Sequence, residues 1–221
     1  MLISGAASSC RYQRCGFGAK NRRPSASKCA FRLAHNCAAS SGASENPVCK
    51  ISWVGEQRER NAEGSLENYT DERWQRVIDI NLNGIFRTAR AAARHMKPRR
   101  SGCIIFTTSV AAYQCEPAIG SAYMAAKAGC AHLMKMVALE LAAYQITANA
   151  IAPGFFATNI GGGHAKDPGV QAAMGKVMPM HRVGMPDDIK GLALFLSSPA
   201  SAYLTGQQIS IDGGWTLGVA D

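Results

Sequence analysis

The amino-acid sequence predicts a doubly wound α/β fold over residues 64–221, with a mostly parallel sheet and helices on both faces. Three observations carry this. Gly102 to Thr108 is a continuous apolar run, as expected of a strand buried on both faces. Further strand-length runs follow at 145–151 and 208–212. Helix-length segments with apolar stripes or start signals alternate with them, the pattern of repeated strand–helix units.

The elements read as follows. Thr70 caps a helix whose first turn carries Asp71 and Glu72, where negative charge suits the positive end of the helix dipole. Trp74, Val77, Ile78, Ile85, Phe86 and Ala89 give it an apolar stripe. It stops before Pro98, amid Lys97, Arg99 and Arg100. After the strand at 102–108, a helix is expected over 121–143, with Ala128, Cys130, Leu133, Met134, Val137 and Leu141 facing neighbours. Gln145 to Ile151 forms the next strand, ended by Pro153-Gly154. Residues 155–182 read as a long loop, with Gly161-Gly162-Gly163 as a hinge and His164 and His181 as loop polar groups. Pro186 opens a helix with Asp187 and Asp188 in its first turn. Gln208 to Asp212 is the last strand, closed by Gly213-Gly214.

Residues 1–63 read differently. The net charge of +9 is concentrated there, with ten Lys/Arg against four Asp/Glu, and the first acidic residue is Glu45. Residues 9–63 contain no strand-length apolar run and no sustained helical period, so the composition is that of a poorly ordered arm. Aromatics are few (Tyr12, Phe17, Phe31, Trp53) and form no stacking platform, which argues against a nucleic-acid partner. Cys10, Cys15, Cys29, Cys37 and Cys49 show no Cys-x-x-Cys spacing, so no metal site is expected. Cys103 and Cys130 stand among apolar residues and should pack as small hydrophobes. No apolar run approaches the roughly 18 residues needed to span a bilayer. Nothing in the cysteine pattern calls for an oxidising compartment, and we expect a cytoplasmic protein without a membrane partner.

The chemistry centres on Tyr123-Met124-Ala125-Ala126-Lys127. One helical turn separates the phenol from the ammonium, so both lie on one face. A fixed cation nearby favours the phenolate and brings a tyrosine down from its reference pKa of roughly 10. Such a group can give and take a proton near neutrality. Ser109 and Asn81 lie upstream, and Pro153-Gly154 follows.

Five segments, in order, resemble the short-chain dehydrogenase/reductase family from about Gly64 to the C-terminus. They are "SLENYTDERWQRVIDINLNGIFRTARAAARHM" with Asn81, "GCIIFTTSVAAY" with Ser109, "YMAAKAG" with Tyr123 and Lys127, "ALELAAYQITANAIAPGFFATNI" with the Pro-Gly turn, and "RVGMPDDIKGLALFLSSPASAYLTGQQISIDGG". The resemblance implies a Rossmann fold, NAD or NADP as cofactor, and an alcohol or ketone as small-molecule substrate. It also implies a homotetramer or homodimer, the tetramer forming through the helices carrying Asn81 and Tyr123. By the same resemblance Tyr123 is the proton donor and acceptor, and Lys127 lowers its pKa and holds the ribose hydroxyls. Ser109 binds the substrate oxygen, and Asn81 anchors a water that leads from Lys127 to solvent. Pro153, Gly154, Phe156 and Thr158 would lie against the nicotinamide. The substrate would contact residues 155–182 and the wall from Ala111 to Ile119. The apolar side chains there (Phe155, Phe156, Met174, Met178, Met180) suit a moderately hydrophobic substrate, such as an acyl chain (as in a 3-oxoacyl reductase), a cyclic alcohol or a ketone, more than a sugar phosphate.

The chain departs from the family at its N-terminal side. "LISGAAS" (residues 2–8) is similar to the opening of the glycine-rich pyrophosphate turn, with Gly5 as the first glycine, but the later glycines do not follow. The family's Asn-Asn-Ala-Gly turn before Gly64 is missing, as is the residue that selects NAD or NADP. Asn81 arrives roughly 25 to 30 residues early. We therefore expect 1–63 to be an atypical remnant of the first Rossmann half, with 9–63 an out-of-frame stretch between authentic pieces. A targeting presequence is the alternative, since residues 1–44 carry seven Lys/Arg and no acid. The competing functional reading is an impaired remnant that keeps fold and oligomer contacts with an incomplete cofactor site.

Overall fold

The computed structural model describes residues 66–116 and 119–218. The expectations for residues 1–63, including Gly5, lie outside the described residues.

Helix α1 (Asp71–Ile78) starts as the capping pattern requires: the Thr70 hydroxyl oxygen accepts from the Arg73 N–H at 3.3 Å. A wide π-helical turn, Asp79–Asn83, joins it to helix α2 (Gly84–Met96). Pro98 cannot continue the helix, and the chain leaves through a 3-10 turn, Lys97–Arg99, and a left-handed Arg100. Val77 and Ala89 of the expected stripe are buried, but Trp74 and Phe86 are 39% and 43% exposed. Both sit at the stripe's edge, three residues from a buried position. Trp74 packs edge-on to Tyr69, and Phe86 lies under the Arg90 guanidinium.

Strands β1 (Gly102–Thr107), β2 (Ile146–Pro153) and β3 (Gln208–Ile211) form a parallel sheet in the order β1-β2-β3. Thr107 stands opposite Ile151, and Ala150 opposite Gln208. Helix α3 (Ser121–Ala142) crosses between β1 and β2. Its buried face is Ala122, Tyr123, Ala126, Lys127, Cys130, Met134, Ala138 and Leu141, spaced three and four apart. Leu133 and Val137 pack partly buried against the same core, whereas Ala128 is exposed because it falls on the opposite face.

The sheet is covered on both sides, as a doubly wound fold demands. Alternate β1 residues serve two cores. Ile104 and Phe106 meet α2 and α3 through Ala89, Met96, Cys130 and Met134. Cys103 and Ile105 face helix α5 (Pro186–Leu196) with Ile151 and Leu196. Both cysteines are buried as expected, and the Cys103 thiol donates to the Leu196 carbonyl at 3.0 Å.

One element departs from the sequence reading. The stretch 155–182 is not a bare loop: it holds a 3-10 turn, Ile160–Lys166, and helix α4 (Pro168–Val177). The glycines expected as a hinge lie inside that turn. The missed signal was Asp167-Pro168. Asp167 caps α4 by accepting from the Val170 N–H at 3.0 Å, and proline is preorganised for the first helical position. His164 and His181 are both exposed.

Gly154 allows the chain to turn off β2 against the end of β3. A Cβ there would lie 2.7 Å from the Asp212 Cβ and 2.9 Å from its Cα, with a backbone atom that cannot swing away. Gly154→Ala is expected to cost about 1–3 kcal/mol of stability, read as a lowered denaturant midpoint at unchanged slope. A wild-type midpoint would contradict this packing.

Candidate active site

The carboxyl edge of the parallel sheet is where α/β folds collect functional groups, and Ser109 follows β1 there. Its position is fixed by the residue before it. Thr108 is fully buried and donates twice to the Ile151 carbonyl, from its N–H at 2.9 Å and its hydroxyl at 3.1 Å. The Ser109 oxygen accepts from the Ala111 N–H at 3.2 Å. That contact uses the oxygen as acceptor and leaves the hydroxyl proton free to be donated.

Tyr123 and Lys127 lie on the inward face of α3, 1% and 2% exposed. The Lys127 Nζ stands 5.4 Å from the centre of the Tyr123 ring and donates to the Thr107 carbonyl at 3.2 Å. The cation thus ties α3 to the end of β1, two residues before Ser109. Sequence reasoning did not find the part played by the Thr107 carbonyl, because any residue type supplies one. Tyr123 belongs to a buried cluster with Val77, Ala111, Ile119 and Ala122, so part of the expected substrate wall lies in the same core.

Asn81, 1% exposed, sits in the π-helical turn. Such turns concentrate at functional sites. Its Nδ2 donates to the Val77 carbonyl at 3.1 Å, and Val77 shares a buried cluster with Tyr123. The same turn approaches α3 closely: a Cβ on Gly129 would lie 3.3 Å from Leu82. Asn81, Tyr123 and Lys127 are therefore linked through packed neighbours. Among the described residues, the Asn81 Oδ1 is one of three buried side-chain N or O atoms without a hydrogen-bond partner. A buried acceptor left in this way calls for a donor from a bound group or water.

Pro153 ends β2, and the Gly154 N–H donates to the Ile211 carbonyl at 3.1 Å. Phe156 is buried with its ring against Gly184, and the Thr158 N–H turns back to the Phe156 carbonyl at 2.9 Å. Beyond β3, burial pushes the Asp212 carboxyl up, but hydrogen bonds from Thr216 and Gly214 outweigh this and hold it below the usual carboxylate range. No group of three or more His, Cys, Asp or Glu side chains among the described residues is placed to hold a metal ion.

Cys130 lies three residues beyond Lys127. Burial pushes its thiol up to about 11, with the Lys127 charge pulling the other way. It is therefore an inert thiol at neutral pH. Among the described cysteines, alkylation of the native protein is expected to label exposed Cys115 and spare buried Cys103 and Cys130. Peptide mass spectrometry checks this, and rapid labelling of Cys130 would contradict the burial of α3's inner face.

This arrangement fits the nicotinamide end of a dinucleotide cofactor. The buried cation of Lys127 and the orphaned Asn81 Oδ1 offer a donor and an acceptor. Ser109, Tyr123 and Pro153-Gly154 lie on elements that meet at one edge of the sheet.

The chain is similar in sequence and fold to known proteins. The family profile described as Enoyl-(Acyl carrier protein) reductase matches residues 49–216, beginning upstream of Gly64. The 3-oxoacyl-[acyl-carrier-protein] reductase of Synechocystis sp. is 42% identical over 147 residues, which is 66% of this chain and 57% of that protein. A gluconate 5-dehydrogenase from Burkholderia cenocepacia, solved in complex with NADP and tartrate, aligns with a TM-score of 0.67 at 34% identity. That alignment covers 74% of this chain and 62% of the other. A 3-oxoacyl-[acyl-carrier protein] reductase with bound NAD from Brucella melitensis gives a TM-score of 0.64 at 35% identity, covering 72% and 58%. The chain thus spans less than two thirds of the length of each of these three. With the parallel sheet, the Tyr123/Lys127 turn and the match over residues 49–216, the chain belongs to the short-chain dehydrogenase/reductase family.

Proposed function

We infer that the protein is an NAD(P)-dependent oxidoreductase that interconverts a secondary alcohol and a carbonyl compound. The observation that carries this reading is the buried Tyr123–Lys127 pair on one turn of α3, anchored to the β1 end beside Ser109. Bound at this edge, the nicotinamide would give or take the hydride. Lys127, Asn81, Tyr123 and the Pro153, Gly154, Phe156 and Thr158 segment would hold it, with Gly5 at the pyrophosphate. The chain's own groups handle the proton. Ser109, whose oxygen already accepts from Ala111, donates to the substrate oxygen and fixes its position. Tyr123 gives its phenolic proton to that oxygen on reduction and takes it back on oxidation. Lys127 stabilises the phenolate left behind. Asn81 keeps a donor, such as a water, beside this buried set and so permits proton resupply.

The substrate is a small alcohol or ketone, with the 3-oxoacyl class favoured by the apolar side chains of 155–182 and by relatives named for that reaction. A homotetramer or homodimer and a cytoplasmic location follow the family. Among the described residues, no helix is long and apolar enough to cross a membrane. Residues 64–221 form the catalytic and C-terminal portion. Residues 9–63 are, on this reading, an out-of-frame stretch replacing most of the first Rossmann half.

Titration with NADH and NADPH, followed by turnover on a panel of ketones and 3-oxoacyl thioesters, tests the reading. Saturable binding with cofactor-dependent turnover supports it. Binding of neither cofactor leaves the impaired-remnant reading in its place.

A further inference from the structure

The excursion between β2 and α5 leaves the same sheet edge that carries Ser109, and its attachments are unevenly distributed. In α4 only Gly175 is buried, and that glycine lies against the backbone of His181 within the same excursion. The firm ties gather at the base. Phe156 and Gly184 form a short parallel bridge: the Ala157 N–H donates to the Gly184 carbonyl at 2.8 Å, and the Gly184 N–H to the Phe155 carbonyl at 3.0 Å. A Cβ on Gly184 would lie 2.7 Å from the Phe156 ring, so the two strands of the base are in direct contact. The Met180 N–H reaches the Gly213 carbonyl at 3.2 Å.

The last tie is ionic. Arg182 grips Asp188 with both guanidinium nitrogens, Nη1 to Oδ2 at 2.7 Å and Nη2 to Oδ1 at 3.0 Å. The same Asp188 Oδ2 accepts from the Met185 N–H at 2.8 Å and thereby caps α5. Single exposed ion pairs contribute little. This one is bidentate, shares its carboxylate with a helix cap, and connects the returning limb of the excursion to a helix packed on the core. Hydrogen bonds from Arg182 and Met185 hold the Asp188 carboxyl down to about 2. The interaction is therefore complete above the ordinary carboxylate range and is lost only as pH falls toward about 2.

Building on the site proposed above, we propose that Arg182 and Asp188 are a positioning pair: their clasp sets the angle at which residues 157–178 leave the sheet edge that carries Ser109. Neither residue is assigned contact with the reacting atoms, so loosening the clasp changes how substrate is retained rather than how the proton moves.

Three full-length variants separate the clasp from its neighbours. Asp188→Asn keeps an oxygen to cap the Met185 N–H but weakens the hold on Arg182. Arg182→Gln removes the charge, and Arg182→Lys keeps it without the bidentate fork. Backbone hydrogen exchange followed by mass spectrometry is the first readout. Residues 160–178 are expected to exchange about fivefold faster in Asp188→Asn and Arg182→Gln, with Arg182→Lys between them and wild type, and residues 146–153 unchanged. Steady-state kinetics on a ketone is the second: KM rises about fivefold while kcat stays within about twofold. Wild-type exchange over 160–178 in both Asp188→Asn and Arg182→Gln overturns the clasp. So does equal loosening of 146–153, which would mean general destabilisation. Exchange requires no activity, so these results stand even if the wild-type chain proves unable to turn over a ketone, an outcome that counts against the oxidoreductase reading alone.

Discussion

Tyr123→Phe is expected to reduce kcat by about a thousandfold, a loss much larger than any loss of cofactor affinity. The substitution removes one oxygen from a side chain in the buried cluster of Val77, Ala111, Ile119 and Ala122, and phenylalanine keeps the apolar ring that fills it. The loss therefore falls on proton transfer. Lys127→Met should behave differently. It removes a cation that is 2% exposed and donates to the Thr107 carbonyl, so it weakens the α3–β1 tie, the support for the phenolate and the grip on cofactor together. Measuring kcat, KM and NAD(P)H affinity for both variants separates the two roles. Turnover by Tyr123→Phe within tenfold of wild type would rule out Tyr123 as the proton donor.

These residues were legible because each carries chemistry in its identity and spacing. Tyr123 and Lys127 are four apart on a segment with clear helical period, and the helix falls at Ser121–Ala142 against an expected 121–143. The strand at 102–108 was equally plain, since Cys103 to Phe106 is apolar on both faces and the structure has cores on both sides to receive it. Other features were hidden for physical reasons. The Thr107 carbonyl that holds Lys127 belongs to the backbone, and no residue type announces it. The π-helical turn around Asn81 has the composition of an ordinary helix; its widening shows in the Gly84 N–H reaching back five residues to the Asp79 carbonyl. Helix α4 was missed because "VQAAMGKV" is short and only partly amphipathic, while the preceding glycines suggested a loop. The Arg182–Asp188 clasp joins residues six apart across the Gly184 turn, a spacing that no helix or strand period connects.

On the proposed out-of-frame reading of residues 9–63, restoring the frame is expected to tighten NADH or NADPH binding by at least about a hundredfold, or about 2.7 kcal/mol. The gain would come from backbone N–H groups at a glycine-rich turn closing on the pyrophosphate, an anion that a helix N-terminus is built to hold. The code at residues 53–58 makes the prediction specific. Trp53-Val54-Gly55-Glu56-Gln57-Arg58 can be written TGG GTT GGT GAA CAA CGC. Read one base later, the same DNA gives Gly-Leu-Val-Asn-Asn-Ala, which contains most of the Asn-Asn-Ala-Gly turn the chain otherwise lacks. The match depends on five synonymous choices: GTT at Val54, GGT at Gly55, GAA at Glu56, CAA at Gln57 and CGC at Arg58. GAG or CAG would put serine in place of asparagine. The following shifted codon cannot encode glycine, so the restored turn should end in Ser, Asn, Arg or Lys. Sequencing the encoding DNA decides this before any protein is made; GAG at Glu56 or CAG at Gln57 ends the argument at this turn. If the codons allow it, a frame-restored chain should bind cofactor and turn over a ketone, and Tyr123→Phe should abolish that turnover. Equal cofactor affinity in the restored and unrestored chains would mean that residues 9–63 already supply the cofactor grip and are authentic.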